Sequence, residues 1–168
     1  MVQMVPKIEK ILFPTDLSKN SSYAFYYAVD IAQKRNAEII ILHVIEPASP
    51  LILDYIGKDT INKIQRQHVE EATDRITKRL KNFCKIVEEK VGPCLDIISN
   101  ILVRVGHPVN EILGVAEKEG CDLIVLGSHG KGFLEHAFLG SVSRMVLDRT
   151  RKPIFVIPLP SEEVDIDW

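Results

Sequence analysis

The sequence predicts an α/β protein built as a single-domain, doubly wound parallel sheet of five strands. Two observations carry this prediction. Short β-branched runs alternate with amphipathic helical stretches in the order β-α-β-α-β-α-β-α-β, and such alternation implies a parallel sheet covered by helices on both faces. The 168 residues are enough for about one domain. We assign that domain to residues 1–160 and an acidic tail to residues 161–168.

The first three elements follow from short local patterns. An apolar run over residues 11–13 ends at Pro14 and is typical of a buried strand. Residues 15–18 form the predicted turn, and Ser18 is placed to cap the helix that follows. Asn36 ends that helix, and the continuous β-branched run 38–45 indicates a strand covered on both faces.

The middle of the chain combines breakers with a long periodic stretch. Pro47, Pro50 and Gly57 predict an irregular, flexible insertion over residues 47–58. Apolar residues then recur every three or four positions from Ile61 to Val87, which predicts a long amphipathic helix. Glycine and proline breakers separate the remaining elements: a strand over 97–105, a helix after residue 108, a strand over 122–126, a helix over 140–149 and a strand over 154–157.

Composition and charge exclude several classes of partner. Lys and Arg number 21 against 23 Asp and Glu, so the net charge is −2 and no basic excess favours binding to nucleic acid. No apolar run approaches the roughly 20 residues of a membrane span. The first residues lack the basic and apolar segments of a signal peptide. We therefore expect no nucleic-acid partner, no membrane association and a cytoplasmic location.

The cysteines support the same expectation. Cys84, Cys94 and Cys121 are odd in number and widely spaced, unlike a disulfide framework or a zinc site. The sequence predicts that all of them are reduced thiols, as is usual in the cytosol.

The loop after the fourth strand carries the strongest functional signal. Gly127 and Gly130 flank Ser128 and His129, and Gly140 precedes the next helix. Glycines let backbone N–H groups approach an anion closely, and a helix N-terminus adds donors and a partial positive charge. The hydroxyls of the serines at 141 and 143 are further candidate donors. The pattern predicts a phosphate-binding cradle.

Two common phosphate motifs are excluded. The turn after the first strand contains no glycine, so the dinucleotide fingerprint G-x-G-x-x-G is missing there. Lys131 follows Gly130 but is followed by Gly132, which does not fit a Walker A loop.

The spacing Gly127-x2-Gly130-x9-Gly140-Ser141 resembles the signature of the ATP-binding branch of the universal stress protein family. Further stretches resemble the family in the same order, from about Lys7 to Pro158: residues 11–18, 42–45, 105–108 and 152–156.

The resemblance implies an adenine nucleotide alpha-hydrolase-like, Rossmann-like fold with strand order 3-2-1-4-5. It implies that Val44 reads the adenine edge through its backbone, that Asp16 lies near the ribose, and that backbone N–H groups hold the phosphates. The ligand implied is ATP, or ADP or AMP, with Mg2+. The full set of implied nucleotide-binding residues is Pro14, Thr15, Asp16, Val44, Leu126, Gly127, His129, Gly130, Gly140, Ser141, Val142 and Ser143. The resemblance also implies a homodimer through the last strand, Ile154–Ile157.

Alternatives remain at both residue and protein level. Asp16 either faces the ribose or caps the first helix, and His129 either contacts phosphate or faces solvent. The residues predict no catalytic set and no protein metal site, and Lys131 and His129 are the only charged or titratable candidates in the stretch 127–132. We favour a regulatory nucleotide-binding homodimer acting on an unidentified protein partner. A slow or partner-dependent ATPase and an empty dimerisation scaffold are the alternatives.

Overall fold

The computed structural model describes residues 5–129 and 139–158. Five strands are present: β1 (Lys10–Pro14), β2 (Glu38–Ile45), β3 (Ile98–Val105), β4 (Leu123–Gly127) and β5 (Ile154–Ile157). Five helices lie between them: α1 (Lys19–Arg35), α2 (Pro50–Ile56), α3 (Lys58–Val91), α4 (Pro108–Lys118) and α5 (Ser141–Arg149). A short 3-10 turn, Leu95–Ile97, precedes β3.

The strands form one parallel sheet in the order β3-β2-β1-β4-β5. This confirms the doubly wound fold and its strand order. Because all strands run in one direction, their carboxyl ends and the N-termini of the helices that follow them meet at one edge of the sheet. The chain reverses its winding direction between β1 and β4.

Apolar side chains fill both faces of the sheet, as the β-branched runs predict. One core packs β1 and β2 against α1 and α3 and is rich in aromatic rings, including Phe13, Phe25 and Phe83. The other core packs the opposite sides of the strands against α4 and α5 and is aliphatic. No helix within residues 5–129 and 139–158 is long and apolar enough to cross a membrane.

The predicted helix ends are confirmed at α1. The Ser18 side chain accepts a hydrogen bond from the N–H of Ser21, as expected of an N-cap. At the other end Asn36 takes the left-handed conformation, with φ 53°, and its N–H bonds back to the helix.

The prediction of an irregular insertion over residues 47–58 is wrong. Residues 50–56 form helix α2, and Gly57, with φ 82°, separates it from α3. Pro50 is the first residue of α2, where a missing N–H and a fixed φ are compatible with a helix. Pro50, which predicts an interruption of regular structure, instead begins a helix.

The prediction that all cysteines are reduced is also wrong. Cys84 of α3 and Cys94, just beyond its end, form a disulfide with their Cα atoms 5.2 Å apart. The turn at Gly92 folds the chain back and brings the two buried thiols together. Cys121 is a buried free thiol, and burial raises its pKa to about 11.

Candidate functional site

The candidate site lies at the carboxyl edge of the sheet, where the winding reverses between β1 and β4. In open parallel sheets ligands bind in the crevice beyond the strand ends at this switch point. Three parts of the chain meet there: the β1–α1 loop, the end of β2, and the end of β4 with the start of α5. These are the segments in which the sequence places the nucleotide-binding residues.

Thr15 organises the β1–α1 loop. Its N–H donates to the Leu42 carbonyl at 2.8 Å and prolongs the pairing of β1 with β2. Its buried hydroxyl oxygen accepts from the N–H of Leu17 at 3.1 Å and bonds the Ser21 hydroxyl at 2.6 Å. Pro14 ends β1 and is half-buried. The buried Thr15 side chain therefore stabilises the loop and is not placed to contact a ligand itself.

Asp16 forms an Asx turn. Its Oδ1 accepts from the N–H of Ser18 at 3.0 Å, and the side chain is half-buried. The N-cap of α1 is Ser18, so Asp16 lies two residues before the cap, in the loop at the switch point. The residue that caps α1 is therefore Ser18 and not Asp16.

Leu17 is held in an unusual backbone conformation by a distant side chain. Its φ of 63° lies in the left-handed region that non-glycine residues rarely adopt. Arg79 of α3 donates from Nη1 to the Leu17 carbonyl at 3.0 Å. Sequence reasoning missed this contact, because an arginine on a long charged helix reads as part of its solvated face.

The end of β2 supplies backbone groups beyond the end of β1. Parallel pairing of these strands stops at Pro14 and Leu42, while β2 continues to Ile45. The N–H and C=O of alternate strand residues face the same neighbour, so those of Val44 face the same side as those of Leu42. They are directed past the end of β1, into the switch-point crevice.

His43, next to Val44, supports the loop across this gap. Its Nδ1 lies 2.8 Å from the Thr15 carbonyl oxygen. A carbonyl can only accept, so Nδ1 is the donor and carries the proton. This bond satisfies Nδ1 of His43 at the edge of the crevice.

The segment leaving β4 is tied to β5 and α5 by backbone bonds. The Ser128 N–H donates to the Ile157 carbonyl at 2.8 Å, and the Gly140 N–H donates to the Ser128 carbonyl at 2.7 Å. The Ser128 hydroxyl and Nδ1 of His129 are 2.8 Å apart. The N–H of Gly140 is thus already used inside the protein.

Ser143 differs in role from the phosphate donor that the sequence indicates. Its buried hydroxyl donates to the Gly127 carbonyl at 2.8 Å, which fixes α5 to the end of β4. Leu126 is buried in the aliphatic core, so only its backbone is placed to act at the site. Gly130 and Lys131 lie outside the described residues.

The first turn of α5 supplies the anion-binding groups. Gly140 is its N-cap and has no side chain to bond the first amide groups. The first intrahelical bond at this end is donated by Arg144, to the Gly140 carbonyl. The N–H groups of Ser141, Val142 and Ser143 therefore have no helical acceptor and point out of the helix end. A phosphate fits this arrangement by hydrogen bonding and by charge.

Asn20, in the first turn of α1, is a site residue that the sequence reasoning missed. It is only 5% exposed and its Nδ2 donates to the His129 carbonyl. A Cβ built on Gly127 would lie 3.1 Å from both Cγ and Nδ2 of Asn20. A side chain at position 127 would therefore press on Asn20. A polar residue in a first turn reads as solvated, and nothing local signals its burial.

Taken together, the two sides of the crevice differ in chemistry. The β1–β2 side presents the Asp16 carboxylate and the backbone groups of Val44, which suit a polar heterocycle and hydroxyl groups. The α5 side presents amide donors that suit an anion. A ligand joining a hydroxylated, hydrogen-bonding group to a phosphate matches both sides.

Comparison with known proteins gives a consistent family. A family profile described as the Universal stress protein family matches residues 7–158. The universal stress protein MJ0577 of Methanocaldococcus jannaschii is 32% identical over 153 residues, covering 89% of this chain and 94% of that protein. A solved structure of MJ0577 has a TM-score of 0.73 to this chain at 30% identity, covering 93% of this chain and 99% of its own.

Two structurally similar proteins were solved with adenine nucleotides. One is a universal stress protein in complex with cAMP, with a TM-score of 0.53, 24% identity, and coverage of 90% of this chain and 98% of its own. The other, from Archaeoglobus fulgidus, was solved with dAMP, with a TM-score of 0.51, 16% identity, and coverage of 91% and 99%. At these sequence identities the two structures support the fold of this chain and not a particular ligand.

Proposed function

The chain belongs to the universal stress protein family, and on that premise we propose that it binds an adenine nucleotide, ATP foremost, as a homodimeric regulatory module. The protein partner on which such a module acts, and a cytoplasmic location, are parts of the same proposal. The observation that carries the proposal is the meeting of the Asp16 loop, the end of β2 and the uncapped start of α5 at one switch point.

In this proposal the nucleoside binds on the β1–β2 side of the crevice, through the backbone of Val44 and the Asp16 carboxylate. The N–H and C=O of Val44 face the crevice and match the donor and acceptor edge of adenine. The Asp16 carboxylate is half-buried and held by an Asx turn, so it accepts ribose hydroxyl groups without losing much side-chain freedom. Two proteins that share this fold were solved with cAMP and dAMP, so the fold accommodates an adenine base.

On the α5 side the phosphates find backbone donors. The amide groups of residues 141–143 form the N-terminus of a nine-residue helix, whose dipole adds favourable potential for an anion. Mg2+ accompanies the phosphates in this proposal, because this ion is bound largely through phosphate oxygens and water.

The edge strand β5 supports the dimer. It pairs with β4 on one side, and Phe155 on its surface is 47% exposed. Ile154 and Val156 are half-buried. An apolar edge strand is a template for pairing with another chain, and antiparallel pairing of two β5 strands about a two-fold axis satisfies both edges at once.

We favour binding over turnover. Hydrolysis of the terminal phosphate requires a group that orients water next to it. Asp16 lies on the nucleoside side of the crevice, and Nδ1 of His129 is engaged with the Ser128 hydroxyl. A slow ATPase activity remains the alternative, and the first experiment distinguishes the two.

That experiment is native mass spectrometry of the purified full chain, with chromatography of the nucleotide released on denaturation. We expect a dimer that carries one adenine nucleotide per chain. Calorimetric titration of nucleotide-free protein with ATP, AMP and GTP, each with and without Mg2+, then measures the preference for the base. We expect ATP to bind more tightly than GTP.

Other outcomes have defined meanings. Steady release of ADP from added ATP and Mg2+ would favour the ATPase. If the purified protein contains no nucleotide and binds no added ATP, nucleotide binding is contradicted. The alternative of a dimerisation scaffold without a ligand is then favoured. A Phe155→Glu variant tests the interface in the same instrument, because a charge on the pairing strand should give monomers; a dimer that persists contradicts pairing through β5.

A further inference from the structure

Asn20 connects the two sides of the proposed site. It belongs to α1, which follows the Asp16 loop, yet its side chain lies against the end of β4. Its Nδ2 donates to the carbonyl of His129, two residues beyond Gly127. The helix that begins on the nucleoside side is thereby bonded to the segment that leads to the phosphate side.

The geometry fixes which end of the Asn20 amide faces His129. A carbonyl oxygen accepts only, so the amide nitrogen must be the donor. The amide oxygen Oδ1 is then turned away, and it is buried without a hydrogen-bond partner among the described residues. Buried polar atoms are nearly always paired. Among the described residues, Asn20 therefore bonds the site only through its amide nitrogen.

The bond to His129 has a directional consequence. A peptide group is planar, so fixing one carbonyl fixes the orientation of the whole peptide group to which it belongs. The Ser128 carbonyl before it is already held by Gly140, the N-cap of α5. Asn20 thus restrains the backbone at residues 128–129 from one side, while the Gly140 N–H holds it from the other.

We infer that Asn20 is a positioning residue for the phosphates: it acts through the His129 carbonyl and fixes the backbone at residues 128–129, to which the N-cap of α5 is bonded. This inference rests on the proposed nucleotide binding. It predicts a split in which removing the Asn20 amide weakens binding of the phosphates and spares binding of the nucleoside.

The test is calorimetric titration of the full chain with ATP and, separately, with adenosine. We expect Asn20→Ala to lower ATP affinity about tenfold, the loss expected for one well-placed interaction, and adenosine affinity less than about twofold. Asn36→Ala is the matched control. It makes the same change at the other end of α1, in a left-handed conformation that alanine tolerates poorly, so it should lower the melting temperature and leave both affinities unchanged.

Three outcomes separate the claims. Wild-type protein that binds neither ligand overturns the proposed function, and this inference with it. Wild-type binding together with an Asn20→Ala variant that retains ATP affinity, or loses adenosine equally, overturns the inference alone. If Asn20→Ala does not fold, Asn20→Ser keeps a small polar group in the pocket, is too short to reach His129, and is expected to show the same split.

Discussion

The two edges of the sheet are built in opposite ways. At the amino edge, polar groups are paired within the protein: the Asp122 carboxylate accepts the N–H groups of Glu9 at 2.9 Å and Lys10 at 3.0 Å. Lys10 also pairs with Glu38 at 3.2 Å. The Cys84–Cys94 disulfide closes the same edge at the end of α3. At the carboxyl edge, the first turn of α5 has no side-chain cap and Oδ1 of Asn20 has no described partner.

This difference indicates where the fold obtains stability and where it keeps binding capacity. Hydrogen bonds and cross-links within the protein stabilise it whether or not a ligand is present. Donors left for a ligand contribute only when the ligand binds, as binding to the native state stabilises it. Substitutions at the amino edge should therefore change stability without changing affinity, and substitutions at the carboxyl edge should change affinity.

The largest expected effect is that of Gly127→Val at the carboxyl edge. A Cβ there lies 3.1 Å from the Asn20 side chain and 3.3 Å from its backbone oxygen. Valine must displace the start of α1 or the end of β4. We expect ATP affinity to fall about 100-fold or more, equivalent to about 2.8 kcal/mol, in calorimetric titrations.

Gly114→Val is the matched control, since a Cβ at Gly114 on α4 meets nothing within 4 Å. It should bind ATP as the wild type does. If Gly127→Val also binds normally, the close packing of α1 on β4 has no part in the site, and the distinction between the two edges fails.

The next effect is loss of the disulfide at the amino edge. A cross-link between residues ten positions apart is expected to stabilise the fold by about 2–3 kcal/mol through the unfolded state. Urea denaturation of the Cys84→Ser, Cys94→Ser double variant should show this loss, and reductant should produce it in the wild type only. ATP affinity should stay within about twofold in both.

Two experimental results would contradict this prediction. If the unfolded, unreduced wild type titrates as having three free thiols, the pair is not formed. If removal of the pair weakens ATP binding as strongly as it lowers stability, the amino edge is not separate from the site.

The features that the sequence predicts at each edge of the sheet are those encoded by residues close together in the chain. The Ser18 cap, the Asn36 stop and the β-branched β2 are local, and the structure confirms all of them. Gly127 and Asp16 also lie at or directly after strand ends, so the sequence places them at the carboxyl edge, where the structure has them.

What the sequence did not reveal depends on chain reversals and packing. Cys84 and Cys94 meet only because the chain turns at Gly92, and odd, scattered cysteines gave no sign of it. Asn20 is buried because α1 packs on Gly127, and Arg79 contacts Leu17 although the two residues are 62 positions apart in the chain. Helix α2 was hidden by Pro50, whose effect depends on its position within a helix.

A smaller effect is expected from Thr15→Val, which tests whether the carboxyl edge is rigid on its nucleoside side. Valine removes the oxygen that accepts from Leu17 at 3.1 Å and bonds Ser21 at 2.6 Å. Leaving two buried polar groups unpaired should cost about 1–2 kcal/mol of stability and weaken adenosine binding more than tripolyphosphate binding.

Thr15→Ser keeps the hydroxyl and should restore both properties. Thr73→Val on α3 is the matched control, because the Thr73 hydroxyl only donates to the Val69 carbonyl of its own helix. Equal losses for Thr15→Val and Thr73→Val would show that the loop is not organised through Thr15.

The smallest effect concerns Cys121, a free thiol buried just before β4 at the amino edge. Burial raises its pKa from 9.0 to about 11, so between these values the unfolded thiol ionises while the folded one keeps its proton. The unfolded state then binds fewer protons, and the free energy of unfolding must fall as the pH rises through this window. At about pH 9.5 the fall attributable to Cys121 should be below about 1 kcal/mol. It is measured as the difference in pH slope between wild type and Cys121→Val in urea titrations from about pH 7 upwards. Parallel slopes would mean that the thiol ionises as easily in the folded protein as in the unfolded chain, and that the amino edge is open to water at this point rather than closed.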